Sequence, residues 1–85
     1  MSIFTFSAIV GTAVVAEYRP MQSKTIDHAK REGRLILARL ALEHVPTGEE
    51  MISIELFNGT GEPLAELRLC YQELEKQPGA AERVD

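Results

Sequence analysis

Two short runs of alternating apolar residues, separated by a six-residue break, constrain this chain more than any other feature. Ile52, Ile54 and Leu56 stand two apart, with Ser53 and Glu55 between them. Ala65, Leu67, Leu69 and Tyr71 repeat the pattern around Glu66, Arg68 and Cys70. A period of two sends one set to a buried face and the other toward solvent. Between the runs lies Asn58-Gly59-Thr60-Gly61-Glu62-Pro63, a turn composition in which the glycines supply positive φ. Met51 to Tyr71 therefore predicts a β-hairpin packed on one side. Leu64, Leu67, Tyr71 and Leu74 also fit helical spacing, with Pro63 at the first helical position. The clean alternation and the partner run just upstream favour a strand.

The N-terminal segment carries strand composition as well. Ile3, Phe4, Thr5, Phe6, Ile9 and Val10 are β-branched or aromatic, Gly11-Thr12 offers a break, and Thr12 to Tyr18 resumes with Val14 and Val15. Two strands joined near Gly11 is the simplest reading, with one bent strand as the alternative. Tyr18-Arg19-Pro20 closes the segment, because Pro20 lacks a donor and restricts Arg19. Ile3 to Ala16 is apolar, but it has no basic flank and no Ala-x-Ala site, so it reads as strands rather than as a secretory leader. It is also too short to span a bilayer as a helix.

One helix is expected, from Thr25 to Val45. Ser23 or Thr25 can cap it, and Asp27 complements the dipole in its first turn. Ile26, Ala29, Gly33, Ile36, Leu37, Leu40, Ala41 and His44 recur at three- and four-residue steps and form an apolar stripe. Pro46 and Thr47-Gly48 end it. Leu35, Ala38 and Leu42, joined by Val45, lie beside or opposite that stripe, where a helix packed on one sheet is normally polar. Exposed leucines are common. A chain of 85 residues, however, buries only about 60–65% of its unfolded surface and gains from oligomerisation. Leu35, Ala38 and Leu42 are thus the candidate self-association residues. Beyond Gln77 no periodicity remains, so 1–76 is expected as one domain and 77–85 as a disordered tail.

The pieces Ile3-Phe4-Thr5-Phe6, Ala29 with Leu37-Ala38-Arg39-Leu40-Ala41, and Ile52 through Leu64 around the acidic glycine turn carry a resemblance. Their arrangement resembles a family of small bacterial proteins, many from rhizobia and related alphaproteobacteria, known only as a domain of unknown function. The likeness covers half to two-thirds of the chain. It departs at Thr12 to Met21, where the family is often acidic and glycine-rich. The resemblance implies an N-terminal strand, an alanine-bearing helix and a C-terminal hairpin. It implies no activity, cofactor or site residue.

Candidate chemistry is sparse. Cys70 is the only cysteine, so no disulfide forms within the chain, which suits a reducing compartment. As a nucleophile it needs a nearby histidine, cation or helix N-terminus, and the alternating pattern gives it only Arg68. His28 and His44 are sixteen residues apart on one helix, about 24 Å along its axis, and cannot share a metal. Gly59-Thr60-Gly61 matches neither phosphate-binding glycine motif. The glutamates, among them Glu49, Glu50, Glu62, Glu66, Glu73, Glu75 and Glu82, fall in loops, on a solvent face or in the tail. With net charge -4 and its densest cations, Lys30, Arg31, Arg34 and Arg39, interleaved with Glu32 on one helix, the chain does not carry the footprint of a nucleic-acid binder.

The expectation is an α+β domain of order β-β-α-β-β, a small antiparallel sheet with one helix on one face. The function expected first is a non-catalytic interaction module in the bacterial cytoplasm, a homodimer, with no cofactor, metal, nucleic acid or membrane partner. A small-ligand binder, with a pocket between sheet and helix or at a dimer seam, comes second. An enzyme using Cys70 or His28 comes third, and nucleic-acid binding fourth.

Overall fold

A computed structural model describes residues 2–76; the stretch expected as a tail, 77–85, lies outside the described residues. Five strands and one helix follow in the order β1 (Ser2–Val10), β2 (Ala13–Glu17), β3 (Met21–Ser23), α1 (Ile26–His44), β4 (Met51–Asn58) and β5 (Pro63–Cys70). The class is α+β, with α1 packed on one face of an open antiparallel sheet. The order differs from the expected β-β-α-β-β by one short strand. Pro20 interrupts the pairing, but Met21–Ser23 resumes it against the first half of β1. β2 pairs with the second half of β1, so β2 and β3 flank the same edge of that strand in succession.

The sheet runs β2-β1-β4-β5, with β3 beside β1. β1 and β4 are its centre. Phe4, Phe6, Ala8 and Val10 from β1 meet Ile52, Ile54 and Leu56 from β4 on the helix side, and all seven are buried. Gly11 adopts a φ of 63°, closing the tight β1–β2 turn as a break rather than a bend. The hairpin of β4 and β5 forms as expected, and residues 64–70 are strand, not helix.

Helix α1 is stopped at the front by Thr25, whose Oγ1 accepts the His28 backbone N–H at 3.1 Å. Its buried residues are Ala29, Gly33, Leu37 and Leu40, the heart of the expected stripe. After His44 the chain tightens into one 3-10 turn, Val45–Thr47, before left-handed Gly48 releases it. Gly33 lets the helix sit close on the sheet. A Cβ there would fall 2.6 Å from Leu67 Cδ1 and 3.4 Å from Phe6 Cε1. Val45 packs against the core and so leaves the outer stripe.

Candidate interaction surfaces

The helix covers one face of the sheet, and among the described residues nothing covers the other. That open face is built from cross-strand rows. One row runs Glu17, Ser7, Glu55, Glu66 across β2, β1, β4 and β5. The next runs Val14, Ile9, Ser53, Arg68. The first row is acidic and sets Glu55 directly opposite Glu66, an unfavourable like-charge pair. Arg68 offsets it from its own strand, through Nε at 2.9 Å and Nη2 at 2.7 Å from Glu66 Oε2. The Arg68 hydrogen bonds hold the Glu66 carboxyl below the usual glutamate range. Ser53, which alternation assigns to solvent, is only 5% exposed. It sits on a central strand, with Ile9 as its cross-strand partner on one side and Arg68 on the other.

Among the described residues, strand β5 ends the sheet. Its helix-side residues Ala65, Leu67 and Leu69 are half-buried, because they have a neighbour on one side only. Tyr71 extends the ladder, donating its N–H to the Glu50 carbonyl at 2.8 Å. Bonded and unbonded positions alternate along an antiparallel pair. Leu69, Leu67 and Ala65 therefore also turn their peptide groups toward β4, and Cys70, Arg68 and Glu66 turn theirs outward. Pro63 and a bulge at Leu64 open the strand, and over Ala65–Cys70 this edge has no proline, no lysine and no bulge, devices that discourage strand addition.

The three helix residues expected to self-associate are all exposed. Leu35 is 47% and Leu42 79% exposed, and Ala38 lies between them on the same face. The structure brings the three together in one outer stripe, bordered by Arg31, Arg34 and Arg39.

Of the residues weighed for chemistry, Cys70 is a free, exposed thiol on the open face, opposite Met51. His28 and His44 stand at opposite ends of α1. Among the described residues no group of three or more His, Cys, Asp or Glu side chains gathers for a metal ion. His28 does have a partner that the sequence reading missed: its Nδ1 lies 2.6 Å from Ser23 Oγ. The Ser23 hydroxyl also donates to the Thr25 carbonyl at 3.2 Å and is 2% exposed. This contact ties the end of β3 to the first turn of α1, on the wall of an open cleft lined by Gln22, Lys24, Thr25 and His28.

The hairpin turn is organised by a side chain. Asn58 Oδ1 accepts from the Thr60 N–H at 3.0 Å, the Thr60 hydroxyl at 2.9 Å and the Glu62 N–H at 2.9 Å. Of the two turn glycines only Gly61 has positive φ, 87°, so Gly59 is not required by backbone conformation. Clefts are shallow. A groove of about 390 Å³ beside the C-terminal half of α1 is lined by Val15, Tyr18, Ile36, Arg39 and His44, among others. The space between sheet and helix is filled, with Ala8, Ala29, Ile54 and Leu56 fully buried there. Among the described residues no helix is long and apolar enough to cross a membrane. No family model, no curated protein and no solved structure matches the chain.

Proposed function

We propose that this chain is a non-catalytic protein-interaction module of the bacterial cytoplasm whose first partner is a second copy of itself. The observation that carries the reading is the unpaired outer edge of β5, a regular strand with its outward peptide groups free among the described residues. Exposed apolar side chains supplement it: Leu64 on that strand, and Leu35 and Leu42 on the helix. A two-layer domain of this size gains stability when a copy shields such surface. The cytoplasmic placement rests on the lone, unpaired Cys70. Sedimentation velocity on the full chain at tens of micromolar tests the reading. A dimer is expected; a monomer at that concentration overturns it.

Ligand binding is the second reading. The observation favouring it is the groove beside α1, where Tyr18 and Ile36 offer apolar walls and Arg39 and His44 polar ends. A bound small molecule in a native mass spectrum of protein from its host would support it.

A further inference from the structure

We infer that two copies of the chain join β5 to β5 in antiparallel fashion about a two-fold axis at Leu67, making one continuous sheet through the dimer. The inference rests on self-association and specifies its seam and register.

A two-fold axis between antiparallel edge strands must pass through a residue position if outward peptide groups are to meet outward peptide groups. The outward positions are Glu66, Arg68 and Cys70. Centring on Glu66 would set Glu66 against its own copy, and centring on Arg68 would set arginine against arginine. Both place like charges directly opposite, which is unfavourable. Centring on Leu67 removes the conflict. Glu66 then faces Arg68 of the partner subunit, and Arg68 faces the partner's Glu66.

The helix side is equally self-consistent in this register. Leu67 meets its own copy, and Ala65 meets the partner's Leu69. Regular strand pairing runs from Ala65 to Leu69, within the stretch Ala65–Cys70 over which β5 carries neither bulge nor proline. The open face gains as well. The row Glu17, Ser7, Glu55, Glu66 holds no cation of its own, and the register adds the partner's Arg68 at its end. The Glu66–Arg68 ion pair within one strand becomes a four-charge cluster of alternating sign across the axis. The helix stripe competes poorly as the seam: two leucines and one alanine fall short of the roughly 800 Å² per partner of a standard interface.

Two measurements on the full chain test the register. The first is a cross-link. Leu67 lies on the axis, in a non-hydrogen-bonded pair with its own copy and with Cα atoms about 4.5 Å apart. Leu67→Cys with Cys70→Ser leaves one thiol per chain, and under oxidised glutathione it should give a covalent dimer, with the two new thiols bonded to each other in a peptide digest. Leu69→Cys with Cys70→Ser, whose two thiols would stand four residues apart along the seam, about 13 Å, should not give that dimer. A dimer that forms no such bond overturns the register. The second is a charge exchange. Glu66→Arg should weaken dimerisation at least tenfold, and Glu66→Arg with Arg68→Glu should restore it. A circular dichroism spectrum establishes that each variant is folded. If both variants dimerise like the wild type, while Leu35→Glu with Leu42→Glu is monomeric and folded, the seam belongs to the helix and the inference fails. A wild-type monomer would instead overturn self-association itself.

Discussion

Replacing Leu37 with alanine removes three carbons from the centre of the helix–sheet contact. Leu37 is 8% exposed and belongs to the cluster that includes Phe6, Ile54 and Leu56. At about 0.8 kcal/mol per buried methylene the transfer loss is about 2.4 kcal/mol. The cavity left behind adds to it, and buried Leu→Ala changes cost about 2–5 kcal/mol. We expect about 3 kcal/mol, a large share of the total of about 4–11 kcal/mol that a domain this size holds. Leu42→Ala is the matched control on the same helix. Leu42 is 79% exposed, so little transfer energy is at stake, and alanine is a slightly better helix former. Its effect should stay within about 0.5 kcal/mol. Urea unfolding followed by circular dichroism, at one fixed protomer concentration, measures both. With a slope of about 1 kcal/mol per molar, the Leu37→Ala midpoint should fall by about 3 M. Equal losses at the two positions would refute the reasoning, because the outer face of α1 would then be covered as well as the inner one.

Three further perturbations probe other joints of the fold. Gly33→Val should cost about 1–3 kcal/mol by overpacking although glycine is the poorer helix former, because Leu67 and Phe6 occupy the space a side chain needs; an unchanged urea midpoint would place the helix farther from the sheet. Ser23→Ala removes a buried hydroxyl that holds His28 and the Thr25 carbonyl, and thermal unfolding should register a loss of about 1–2 kcal/mol; no loss would mean that the contact does not anchor α1. The Glu66 carboxyl should titrate below the usual glutamate range in a carbon-detected NMR titration, and should move back toward that range in Arg68→Gln. Because its folded pKa is depressed, the stabilisation it brings is present above the ordinary glutamate range and fades as pH falls through the lowered value.

The parts of the fold that were legible in the sequence are those in which one physical pattern acts over many residues. Ile52, Ile54 and Leu56 lie on a strand flanked on both sides, so alternation alone fixed which face they bury. Ala29, Gly33, Leu37 and Leu40 were legible from helical spacing for the same reason. β3 escaped because three residues, Met21–Ser23, carry no period, and Pro20 just before them signals an end rather than a resumption. Ser53 was assigned to solvent because its place on a strand flanked on both sides, by Ile9 and Arg68, is not visible in local sequence. The Ser23–His28 contact joins a strand end to a helix start across a turn, and neither residue type announces it. As for the candidate site, Leu35, Ala38 and Leu42 were found as an exposed stripe from spacing. The β5 seam needed the strand order, since Glu66 and Arg68 become an edge pattern only once β5 is known to end the sheet.

Amide hydrogen exchange along β5, read residue by residue by NMR over a dilution series, tests the edge-to-edge account most directly. Leu67 and Leu69 turn their peptide groups toward β4 and should be protected at every concentration. Glu66 and Arg68 turn theirs outward, and have a partner only across the seam. Their amides should be protected where sedimentation finds dimer, and should lose that protection in step with dissociation. A dimer in which the Glu66 and Arg68 amides exchange as freely as that of Gly59 at the hairpin tip would contradict the account.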